Sequence, residues 1–173
     1  MKRIAVSCFG LLLISIFLIK TRAGIERFNN DEEAIIPNTL SKANGDYTRY
    51  GDTTVVDIKT EGIELSYSLT EIRAKAGEIL LIRYINESDM NHNIVLVRGE
   101  ADIRPVGIAA LQAISNDWIP EKEMDRIIAY SDLAHAGDTV EFSFKVPLPG
   151  TYPYICTYSA HWTQMQGRLI STE

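Results

Sequence analysis

The stretch Cys156-Thr-Tyr-Ser-Ala-His161-Trp-Thr-Gln-Met165 sets a thiol, an imidazole and a thioether within ten residues. Far upstream, His92 stands between Asn91 and Asn93 and offers a second imidazole. One thiolate and two imidazoles in a trigonal plane, with a weak axial thioether, make the ligand set of a type 1 copper centre, which moves single electrons. The spacing suits that role. One tight loop after a strand can wrap Cys, His and Met around a single ion, and the remaining His must come from a neighbouring strand. Each residue also has a plainer reading: Cys156 as an inert core thiol, His92 as a strand residue, Met165 as core packing. It is the combination at these intervals that points to a metal. The same nitrogen and sulfur ligands also suit zinc.

Strands must position such a set, and the sequence supplies them. Thr53 to Ile58 reads as a strand, as do Ile63, Leu65, Tyr67 and Leu69 alternating with Glu64, Ser66 and Ser68. Glu78 to Asn86 is apolar on nearly both faces, which predicts a central strand. His92, Ile94 and Leu96 alternate with Asn93, Val95 and Val97. Val140, Phe142, Phe144 and Val146 alternate with Glu141, Ser143 and Lys145. The turn Pro147-Leu148-Pro149-Gly150 leads to a hairpin arm from Thr151 to Cys156 and a closing strand from Gly167 to Ser171. Short strands between turn signals predict an all-β fold, an antiparallel Greek-key β-sandwich. Tyr152 and Tyr154 point into it, and Tyr152 is placed for a tyrosine-corner hydrogen bond. Ala101 to Ala136 breaks the rhythm. Pro105 to Ser115 reads as a short inserted helix started by Pro105, and residues 121–131 as a second helical turn.

Composition bounds the partners and the compartment. A net charge of -6 over 173 residues disfavours a nucleic-acid partner, whose phosphates select basic surfaces. Lys2 and Arg3 precede the apolar run Ile4 to Ile19, so residues 1–23 read as a signal peptide or a retained N-terminal membrane anchor. Residues 24–51, with Asn29-Asn30-Asp31-Glu32-Glu33, read as a flexible polar linker, and 52–173 as the copper-binding domain. Without residues 1–23 the chain would hold 13 basic and 23 acidic residues, a net of -10. It would keep one cysteine, Cys156. Export normally brings an oxidising compartment in which a lone cysteine is a liability unless a metal occupies it.

These motifs resemble the cupredoxins, and within them the azurin and auracyanin branch. The four-residue gap between Cys156 and His161 matches azurin, and Arg126-Ile-Ile-Ala-Tyr-Ser-Asp-Leu is similar to azurin's strand before its final hairpin. The resemblance covers residues 52–172. It implies that His92 and His161 are equatorial imidazoles, Cys156 the thiolate and Met165 the axial ligand of one copper ion. It also implies a weak axial contact from the carbonyl of Asn91, and that Asn93 ties the ligand loops together. Two departures stand out. Ser159-Ala160 replaces azurin's Pro-Gly, which would free a backbone N–H for the Cys156 sulfur. Azurin's disulfide has no counterpart.

The function expected from this set is electron transport by a blue copper protein, not an enzyme, working in the periplasm or elsewhere outside the cytoplasm. Its partners would be redox proteins such as c-type cytochromes or membrane oxidoreductases, with no nucleic acid and no small-molecule substrate. A periplasmic copper carrier or chaperone is the alternative, as is the electron-donating subunit of a copper enzyme. An enzyme of its own would need further histidines, and only His135 is left over among the three. The edge of His161 is expected to pass electrons, ringed by an apolar collar of Trp162 and Met90. The opposing expectation is that Trp162 packs under the loop.

Overall fold

The computed structural model describes residues 38–42, 45–51 and 53–173. The readings of the segment 1–23 and of the first part of the linker lie outside the described residues. Two sheets carry the fold. In the first, β1 (Asn38–Lys42), β2 (Gly45–Tyr50), β3 (Thr53–Gly62), β5 (Ile79–Ser88) and β8 (Thr139–Lys145) lie in the order β1-β2-β3-β5-β8. In the second, β4 (Glu71–Lys75), β10 (Gln166–Thr172), β9 (Gly150–Ile155), β6 (Val95–Val97) and β7 (Ile127–Tyr130) lie in the order β4-β10-β9-β6-β7. The hairpins are antiparallel, and two pairs, β3 with β5 and β4 with β10, run parallel. This is the β-sandwich expected, with a mixed rather than uniform ladder.

Between the sheets lies a core of Val56, Ile58, Ile72, Leu80, Ile82, Tyr84, Ile94, Leu96, Tyr154 and Leu169, each at most 2% exposed. Strand β5 is paired on both sides, by β3 and by the edge strand β8, but its exposure alternates strictly, so only one face is core. The half-apolar outer face, with Ile79 38% exposed, is what made the sequence read as buried on both sides. The sheet also begins earlier than residue 52. Strands β1 and β2 pair with each other, and β2 pairs with β3, so the polar stretch read as linker contributes two strands. Tyr47 packs against the core and Arg49 pairs with Glu78, contacts with no signature in hydropathy.

Residues 63–70 form an irregular connection of turn and bends and not the strand their alternation predicts. Tyr67 and Leu69 are still buried, because Ser68 N–H bonds the Lys59 carbonyl at 2.7 Å and its hydroxyl accepts from Lys59 N–H at 2.8 Å. Period-two burial survives there without a continuous ladder. Tyr152 makes its expected corner, donating to the Leu148 carbonyl at 2.8 Å.

The insertion folds as helix α1 (Glu100–Ala110), which starts five residues before Pro105 and contains it. A 3-10 turn at Ile114–Asn116 and another at Glu121–Arg126 follow. The second helical turn expected over 121–131 therefore stops at Arg126, where β7 begins. Arg126 bonds Asp102 at 2.6 Å and Glu123 at 2.7 Å, joining that turn to α1. The insertion has a packing role. Val95 and Val97 of β6 face away from the main core, and Ile103, Val106, Ile119, Ile127 and Ile155 cover them in a second apolar cluster. The strand that leads out of His92 is therefore buried on both faces and held firmly.

Candidate metal centre

Strand β9 ends one residue before Cys156 and β10 starts one residue after Met165, so the ten residues 156–165 cap one hairpin. Cys156 N–H bonds the Met165 carbonyl at 3.1 Å, and Met165 N–H bonds the His161 carbonyl at 2.8 Å. These bonds coil the loop so that Cys156 and His161 point to one place. His92 arrives from the opposite side, in a bridge with Ala134: N–H to O of 3.0 Å one way and 2.9 Å the other.

The result is a triangle. Cys156 Sγ lies 3.6 Å from His92 Nδ1 and 3.7 Å from His161 Nδ1, and the two Nδ1 atoms are 3.2 Å apart. A circle through these three atoms has a radius of about 2.0 Å, against metal–nitrogen distances of about 2.0–2.1 Å and metal–thiolate distances of about 2.3 Å. Three lone-pair donors converge on one point, which a metal ion satisfies and N–H or S–H groups cannot fill together. Met165 is fully buried in the core beside Cys156, and Asn91 is half-buried directly before His92. His92 and Cys156 are fully buried, whereas His161 is 9% exposed and gives the site its one wet edge among these ligands.

Burial also sets the protonation. It pushes the Cys156 thiol up to about 12, against the backbone N–H groups of Asn93 and Tyr158, which favour the thiolate. Burial, then the nearby His161, pull His92 down to about 4, and burial lowers His161 too. At neutral pH the metal-free site therefore holds neutral imidazoles and a protonated thiol. A metal must displace one proton. Calorimetry with zinc in buffers of different ionisation enthalpy should show one proton released per ion at pH 7, with affinity rising about tenfold per pH unit. For the metal-free fold, the lowered His92 value means stability that is present above pH 6.5 and is lost as pH falls toward 4.

Asn93 joins the two ligand loops. Its Oδ1 accepts Thr157 N–H at 2.8 Å, its Nδ2 donates to Thr157 Oγ1 at 2.8 Å, and its carbonyl accepts the Tyr67 hydroxyl at 2.6 Å. Residues the sequence did not flag complete the frame. Asn86, fully buried at the end of β5, donates to the carbonyls of Met90 (2.7 Å), Ala134 (3.0 Å) and His135 (3.0 Å). It thus pins the His92 segment to its bridge partner. The available signal was an amide closing an otherwise apolar strand.

Two expectations are corrected. Trp162 does not ring the His161 edge. It packs on α1, so closely that a Cβ on Gly107 would lie 2.3 Å from its ring, and its Nε1 is buried. No hydrogen-bond donor to the Cys156 sulfur comes from Ser159 among the described residues. Ser159 takes φ 53, a left-handed turn, and the backbone N–H groups that reach the sulfur are those of Asn93 and Tyr158. His135 is exposed, with its N–H on Asp138, away from the triangle.

Residues 54–171 match the copper-binding protein family of plastocyanin and azurin. The chain is 39% identical to auracyanin-A of Chloroflexus aurantiacus over 118 residues, 66% of this chain and 72% of that protein. The solved structure of auracyanin A, described as a "blue" copper protein from that green thermophilic photosynthetic bacterium, aligns with a TM-score of 0.66 at 37% identity, covering 69% of this chain and 99% of that one. The dithionite-reduced auracyanin of Roseiflexus castenholzii aligns with a TM-score of 0.65 at 30% identity, covering 72% and 100%.

Proposed function

We propose, from the premise that this chain belongs to the plastocyanin/azurin family of copper-binding proteins, that it carries single electrons between redox partners outside the cytoplasm. The observation that carries this reading is the buried triangle of His92 Nδ1, Cys156 Sγ and His161 Nδ1. In this reading those residues hold one copper in a trigonal plane and Met165 supplies the axial thioether. Copper, when bound, supplies the Cu(I)/Cu(II) couple. The chain supplies rigidity: Asn93, Asn86 and the β9–β10 loop fix the ligands, and the two apolar clusters exclude water. Electron transfer is fast when little has to move, and a site locked this way moves little.

The test is the absorption spectrum of the copper-loaded protein with a redox titration. One copper per chain, an intense visible thiolate-to-metal band and complete bleaching by one electron equivalent are expected. A colourless one-copper protein would overturn the reading. A closed, buried site also favours retention over delivery, so transfer of copper to a chelator should be slow; rapid transfer would favour a carrier.

In the same reading Met165 tunes the site and does not anchor it, because an axial thioether is a weak, long ligand. Met165→Leu should keep one copper and its colour while raising the reduction potential, since it removes a donor that favours Cu(II). Voltammetry decides this, and an unchanged or lowered potential would contradict the axial role. The partner in this reading is a basic redox protein such as a c-type cytochrome, or a membrane oxidoreductase, drawn by the acidic charge of the chain. Its association rate should fall as salt rises. Export rests on the N-terminal sequence, and recovery of the chain in the cytoplasmic fraction would refute it.

A further inference from the structure

The wet edge of His161 does not stand alone. Tyr158 lies against it, ring centroids 5.2 Å apart and planes at 68°, and Trp118 lies against Tyr158 at 5.2 Å and 63°. Three rings in edge-to-face contact thus run from the candidate ligand to the inserted segment, and both Tyr158 and Trp118 are half-buried. The placement is built. Trp118 occupies a left-handed conformation, φ 65, which costs an L-residue about 1 kcal/mol or more unless the surroundings fix it. Its N–H bonds the Ala113 carbonyl at 3.0 Å, and Asn116 Nδ2 bonds the Ile119 carbonyl at 2.8 Å. The carbonyl of Asp117 accepts from Asn93 Nδ2 at 3.4 Å, so the amide that joins the ligand loops also holds the Trp118 turn. The other tryptophan, Trp162, is committed to Gly107 and the second apolar cluster and leaves this position to Trp118.

We infer that Tyr158 and Trp118 are the route by which electrons reach and leave His161, with Trp118 as its outer end. This rests on the electron-carrier reading above. One electron leaves the reduced donor and one arrives at the oxidised acceptor. The rings supply contact and electronic coupling, none of them is itself oxidised, and no proton moves.

Electron self-exchange between two copies, followed by NMR line broadening at 1 M salt where screening acts within about 3 Å, is the measurement. Trp118→Leu and Tyr158→Leu should slow it by roughly tenfold or more, the scale for loss of a central aromatic contact. Trp118→Phe should restore most of the rate. The absorption band and reduction potential of the Trp118 variants should stay those of the parent. Leu148→Ser, at the far end of β9, is the control and should exchange normally; Leu148 is 79% exposed. A second readout needs neither variants nor electron transfer. In the redox-inert zinc-loaded protein, concentration-dependent amide shifts should centre on residues 113–118 and 158. Parent-like exchange in every ring variant that keeps its band overturns the inference. If the ring variants lose the band, shifts centred elsewhere on the zinc-loaded chain overturn it. A parent protein without a one-electron blue couple refutes the carrier reading instead, so the two failures are separable.

Discussion

Cys156→Ser should abolish the visible colour of the copper-loaded protein. The colour of such a centre is charge transfer from thiolate sulfur to Cu(II), and among the described residues there is no other thiol to replace it. The hydroxyl has nearly the same shape, so the fold should survive, with Asn93 N–H and Tyr158 N–H facing an oxygen in place of sulfur. Copper affinity should drop by more than the roughly 10–100-fold that follows loss of a supporting contact, because a ligand itself has gone. The proton release on metal binding should vanish with it, since the displaced proton is that of the thiol. Absorption spectra, metal analysis and calorimetry on one preparation give all three results. A variant that stays blue, or still releases a proton, would show that Cys156 is not the ligand.

Asn93→Ala should be the most damaging change that removes no candidate ligand. Asn93 is fully buried, and its side chain satisfies Thr157 N–H and Thr157 Oγ1 across the two loops and holds the Asp117 carbonyl. Truncation leaves the buried N–H and the buried hydroxyl of Thr157 without partners, at about 1–3 kcal/mol each. A loss of about 3 kcal/mol in the metal-free protein is therefore expected, read by denaturant unfolding. Copper affinity should fall by roughly 10–100-fold, and the absorption band should broaden as the ligand loops loosen. Thr157→Ala should cost less, and the double variant little more than Asn93→Ala alone, because the two residues share the same bonds. Strict additivity, or a loss below about 0.5 kcal/mol, would mean that other contacts hold the loops.

The reach of the sequence follows from what local spacing can carry. Cys156, His161 and Met165 sit within one loop, so their convergence was legible without a fold, and His92 could be added because a trigonal site lacks one nitrogen. Strand β8 was legible for the same reason, since period-two alternation is a property of neighbouring residues; β5 showed as an apolar run, and β9 and β10 as arms after a turn signal. Alternation misled at residues 63–70, where Tyr67 and Leu69 are buried although the chain makes no continuous ladder. It was silent at β1 and β2, whose pairing is decided by the β3 edge beside them.

The candidate centre was therefore legible from residue types and intervals along the chain: a thiol, two imidazoles and a thioether make the ligand set of a type 1 copper site. Tertiary structure decided everything that depends on which surfaces face each other. It turned Trp162 inward onto Gly107, brought Trp118 against Tyr158 across 40 residues, and gave Asn86 the carbonyls of Ala134 and His135 to hold. Those contacts join segments far apart in sequence, and their energies arise only when both partners are buried at one place. No periodicity within either segment encodes them.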